Sequence, residues 1–169
     1  MLFVRVGFVA TVLLIGTTSY CQESKPGLAL LAGNWTGTLR YLDSRNIRTH
    51  VALQTRAAGI IELDTVKLEL EYTEPSGKII ASRDWLWLSS DAKSLAWGGE
   101  RDAYEVSKFN CSDTSLTLVA QKRGHVNNKN AIIRKTILVR GNTLTIAKQV
   151  RYTKTKKFFT RNTYSFIKE

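Results

Sequence analysis

The side chains able to do chemistry are few and poorly spaced for it. His50 falls in an early extended stretch and His125 follows Gly124. Neither belongs to a His-x-His or His-Glu-x-x-His pattern, the spacings that bring two imidazoles to one metal ion. The acids Asp84, Glu100, Asp102 and Glu105 could line a cavity mouth, although an exposed rim is the ordinary place for charge. No serine stands in a recognisable relation to a base, and such sites are defined by geometry, not sequence order. Cys111, between Phe109 and Leu116, reads as a small buried hydrophobe. No catalytic residue, metal or cofactor is therefore expected, and the chain is not read as an enzyme. The aromatic side chains point to binding instead. Tyr41, Trp85, Trp87, Trp97, Phe109, Tyr152 and Tyr164 are the candidate lining of a cavity for a small apolar or amphipathic molecule.

Charge suggests a second kind of partner. The formal net charge is +11, and from Gln121 onward thirteen Lys or Arg residues face one acid, Glu169. A one-sided basic surface attracts anionic lipid, acidic glycans or an acidic protein, and equally keeps a protein soluble. Docking of the C-terminal strands on an acidic partner or an anionic envelope surface is the alternative to ligand binding.

The N-terminus narrows the compartment. Arg5 precedes an uncharged run from Val6 to Gly16 and then the small polar residues Thr17, Thr18 and Ser19. The run is shorter than the ~20 apolar residues of a membrane-spanning helix and has the layout of a secretory signal peptide. Cleavage after Cys21 is expected, with Ser19 and Cys21 at the recognition positions. Acylation of Cys21 as a lipoprotein is less favoured, because Tyr20 stands where a small residue is preferred. The mature protein would be periplasmic or extracellular, without a transmembrane helix, and nucleic acid is not an expected partner. Cleavage leaves Cys111 without an intramolecular partner and a chain of about 148 residues, enough for one core. The expected divisions are 1–21 signal peptide, 22–33 linker and short helical turn, and 34–169 one β domain.

The elements that must position these residues are almost all strands. Leu28 to Gly33 reads as a helical turn stopped by glycine. From Val66 to Tyr72 apolar and charged residues alternate without a break, the period of a strand with one wet face. Glu74-Pro75-Ser76-Gly77 then supplies a tight reversal. Strands are also expected at Trp35–Leu42, Ile47–Thr55, Ile79 onward, Leu95–Gly98, Tyr104–Phe109, Ser115–Gln121, Ala131–Val139, Thr143–Tyr152 and Phe158–Ile167, with Gly141-Asn142 turning one hairpin. About ten short, regularly spaced strands without a crossover helix predict an all-β fold, an up-and-down antiparallel barrel of about 8–10 strands.

Gly33-Asn34-Trp35 at the start of the first strand, after a short helical turn, resembles the lipocalin and wider calycin pattern. That resemblance implies a structural floor of Gly33 and Trp35, with an arginine of the last strand packed across the indole, and Arg161 is the residue that matches. Fatty-acid-binding calycins hold a carboxylate with an inward Arg-x-Tyr pair; here Arg161 and Tyr164 fall on opposite faces of a regular strand, so this capture is not expected. Haem-binding ten-stranded relatives use a C-terminal histidine, and none follows His125. No haem is expected.

Overall fold

The computed structural model describes residues 26–43, 49–98 and 103–169. The expected signal peptide, part of the linker, and Ile47, Glu100 and Asp102 lie outside them. One helical turn, α1 (Pro26–Ala29), precedes ten strands: β1 (Gly33–Leu42), β2 (His50–Glu62), β3 (Thr65–Thr73), β4 (Ile79–Leu88), β5 (Ser94–Trp97), β6 (Tyr104–Cys111), β7 (Ser115–Val126), β8 (Lys129–Arg140), β9 (Thr143–Tyr152) and β10 (Phe159–Lys168). Each pairs antiparallel with its sequence neighbours, and β1 also pairs with β10, closing the barrel. The expected all-β, up-and-down barrel is the fold observed.

Local chemistry explains the turns. Gly77 adopts φ +84 in the Glu74–Lys78 reversal, donating its N–H to the Glu74 carbonyl at 2.8 Å. Gly141, at φ +53, turns β8 into β9. β2 runs seven residues beyond the expected end at Thr55. The stretch Arg56-Ala57-Ala58-Gly59 has weak strand propensity, but pairing on both sides, to β1 and β3, overrides it. A side chain at Gly59 would collide with the Leu31 carbonyl, so the absent Cβ lets α1 and its turn sit on this end of the barrel.

Alternation puts one face of every strand inside. The end capped by α1 is solid: Leu31, Trp35, Leu68, Leu86, Leu88, Leu95, Leu116, Leu118, Ile137, Val139, Leu144 and Phe166 are all at most 2% exposed. Burial of this size dominates the stability of a domain without disulfides. Trp35 Nε1 donates to the Leu31 carbonyl at 3.0 Å, so the indole's one polar atom is satisfied where it is buried.

Three expectations change here. Cys111 is an exposed free thiol at the end of β6, not a core residue; slight desolvation and the negative charge of Asp113 push its pKa up. The cation over Trp35 is Lys168, with Nζ 5.3 Å from the ring, because Trp35 and Lys168 are register partners. Arg161 lies at the other end of β10, beside Asn162, which registers with Tyr41.

Candidate functional site

Opposite α1 the barrel is open, and its mouth holds a cavity of about 440 Å³. Its apolar lining is Leu39, Leu42 and Leu53 of β1 and β2, and its polar lining includes Tyr41, Tyr72, Lys148, Arg161, Asn162 and Tyr164, with Glu74 at the rim. The volume is in the range that holds a small molecule.

Register fixes what lies on the inner wall around this cavity. Asp84 partners buried Leu68 and accepts a hydrogen bond from Trp97 Nε1 at 3.0 Å. Lys135 partners Ala120 and Lys148, and its Nζ stands 4.0 Å from the centroid of the Trp97 ring. Lys122 partners Ile133, with Nζ 4.7 Å from the Tyr104 ring. Burial raises the Tyr164 hydroxyl to about 12, helped by the negative charge of Asp84 and by Tyr72. Tyr164 is therefore a neutral donor at any ordinary pH.

The seven aromatic candidates divide. Tyr41 and Tyr164 line the cavity, and Trp97, 3% exposed, forms part of the inner wall. Phe109 packs against the core and against Gly27, at the closed end. Tyr152 sits at the rim, its ring 5.6 Å from that of Phe159 and 5.9 Å from Lys129 Nζ. Trp85 and Trp87 do not line a cavity: they are 37% and 38% exposed on the outer face, because Leu86 and Leu88 take the inward positions of β4. Outside, Trp87 Nε1 donates to Asp64 at 2.6 Å and Lys67 Nζ lies 5.5 Å from the Trp85 ring.

The opposite-face expectation for Arg161 and Tyr164 also fails. A bulge between Thr160 and Asn162 shifts the alternation of β10, and both residues line the mouth. The inward lysines were missed by sequence reasoning, although a signal was present. Each continues the phase of an apolar alternation: Leu116, Leu118, Ala120, Lys122; Ile133, Lys135, Ile137; Ile146, Lys148, Val150.

Other features offer less. A wider groove of about 760 Å³ runs outside β7 to β9, past Arg123, His125, Asn130 and Arg151, and its polar residues are largely solvated. His50 is exposed at the start of β2. Among the described residues no three His, Cys, Asp or Glu side chains form a group that could hold a metal ion, and no helix is long and apolar enough to cross a membrane.

The solved structure of Rv2717c from M. tuberculosis is similar to this chain, with a TM-score of 0.60 over 84% of this chain and 94% of that one, at 11% identity. At that identity the likeness is one of fold. No protein-family model matches the sequence, and no curated protein matches it either.

Proposed function

We propose that this protein is a binding protein, taking a small amphipathic molecule into the open half of its barrel. The observation that carries this reading is the mouth cavity of about 440 Å³, whose wall pairs Leu39, Leu42 and Leu53 with the donors Tyr41, Tyr72, Asn162 and Tyr164. A core built for stability alone would continue the leucine packing of the floor to the rim. Barrels of this strand number leave room for one small ligand, although fold does not dictate function. The signal-peptide layout of residues 1–21 supports action outside the cytoplasm.

Native mass spectrometry of the purified protein, with organic extraction, tests this directly. A bound species in the range of a few hundred daltons, lost on extraction, is the expected result. An empty barrel that also takes up no added amphipath overturns the proposal. A mature N-terminus found near residue 22 supports export, and retention of Met1 in the native host opposes it.

A further inference from the structure

The groove outside β7, β8 and β9 lies apart from the mouth cavity and is lined mostly by polar side chains. Cross-strand register sets Arg123, Ile132 and Arg151 in one row. The row faces outward, because the adjacent Ile133 and Val150 are buried in the barrel. Two strand spacings of about 5 Å each separate the two arginine backbones, within reach of side chains of this length. Ile132 lies between them, and Asn130, Thr153 and Thr155 add amide and hydroxyl groups around a volume of about 760 Å³.

The next outward row brings Arg134, paired with Gln121 and Gln149. Its guanidinium carbon lies 3.8 Å from the centroid of the Phe158 ring, and that of Arg151 lies 5.1 Å from the same centroid. Each contact is favourable alone, yet together they bring two like charges to one ring, where they repel. Arg134 Nε is buried without a hydrogen-bond partner, so ring packing positions this nitrogen and no protein acceptor does. The cluster lacks a countercharge. No Asp or Glu occurs from Gln121 to Lys168, and among the described residues none of the three arginines forms a salt bridge. Glu105 of β6 shares the row of Arg134 but stands two strands away.

We propose that this outer groove binds the phosphate group of a small polar molecule, such as a sugar phosphate, held by Arg123 and Arg151 over Ile132. A phosphate carries nearly two charges and presents oxygens in several directions, so donors on separate strands can share it, whereas one guanidinium already matches a planar carboxylate. Asn130, Thr153 and Thr155 suit the hydroxyl groups of the remainder. A lipid headgroup fits less well, because a membrane surface is gripped by exposed apolar side chains, and Ile60, Ile61, Leu63, Ile79, Trp85 and Trp87 all lie on the β2 to β4 side of the barrel. The site does not depend on the ligand-binding reading of the mouth.

The test is calorimetric titration of the purified protein with glucose-6-phosphate, glucuronate and glucose, with sedimentation on phosphatidylcholine vesicles containing phosphatidic acid beside it. Glucose-6-phosphate should bind about tenfold or more tightly than glucuronate, and glucose should not bind measurably. Arg123→Gln and Arg151→Gln should each weaken glucose-6-phosphate about tenfold, the scale of one charge-assisted contact. Arg151→Lys should recover only part of the loss, because it lacks the planar fork. Arg140→Gln, at the far end of β8, removes the same unit of charge and should change affinity less than about twofold. Equal losses at Arg140 and Arg151 would mean diffuse attraction to net charge and overturn the site. Glucuronate binding as tightly as the phosphate, failure of glucose-6-phosphate to bind, or vesicle binding without it would each overturn the assignment as well. All of these outcomes leave the amphipath reading of the mouth standing.

Discussion

Below the level of Trp97 the interior is filled mainly by leucine, isoleucine and valine, with the aromatics Trp35, Tyr104 and Phe166, all nearly inaccessible to water. Above it the longer strands present Tyr41, Tyr72, Lys148, Asn162 and Tyr164 around open volume. Both halves use antiparallel pairing between the same neighbours, with a bulge in β10 near the mouth, so the ladder alone does not decide whether a barrel is solid or hollow. The decision lies in the inward position of each alternating pair. β9 shows it within one strand, where Leu144 and Ile146 are followed two residues later by Lys148. Stability is concentrated at one end, and the other end is free to carry chemistry that opposes stability.

The comparison can be broken by mutation. Leu118→Ala, in the floor, should lower unfolding free energy by about 2–5 kcal/mol in a denaturant titration, whereas Tyr41→Ala at the mouth should cost about 1 kcal/mol or less, because a wet, partly open site loses little packing. Equal losses would mean the open half is ordinary core.

Alkaline titration should show the open half's polarity next. Tyr164 holds its proton to about 12 in the folded protein, against about 10 in an unfolded chain. Its contribution is complete below pH 10 and is lost as pH rises from there through 12, amounting to about 3 kcal/mol at most. Phenolate absorbance should reveal a late-titrating tyrosine that disappears in Tyr164→Phe.

Removing one cation from the cross-strand pair should go the other way. Lys148→Met is expected to raise stability by about 0.5–1 kcal/mol, because it removes one of two like charges that face each other across the β8–β9 ladder. A destabilised variant would show that Lys148 is structural. The smallest effect is at the floor's edge. A double-mutant cycle between Trp35 and Lys168 should give a coupling of about 0.5–1 kcal/mol, and one between Trp35 and Arg161 should give none.

The strand pattern was legible because turns and alternation are local. Val66 to Tyr72, the Glu74–Gly77 reversal and Gly141-Asn142 stand in the structure where the sequence puts them. Alternation was legible at Trp85-Leu86-Trp87-Leu88 as well, but two faces related by period two are equivalent until neighbours choose between them; pairing of Leu86 with Val66 and Trp97 sends the leucines inward. Arg161 was misplaced for a different reason. One bulge residue in β10 shifts the phase of what precedes it, and the register of Trp35 with Lys168 is a contact across almost the whole domain. The inward lysines were hidden by their own chemistry, since charge in a strand is read as solvent-facing until the phase of its apolar neighbours is compared.

The pairing of β1 with β10 also governs how the chain must fold. β1 finds β2 within a hairpin, but its other edge stays without a neighbour until β10 is in place, because their seven register pairs join residues 35–41 to 162–168. Contacts of such separation form late and slowly. In that interval both terminal strands are open templates for another chain. Removal of β10 would make this interval permanent, leaving β1 and β9 as bare edges and turning a closed ring into material for intermolecular sheets.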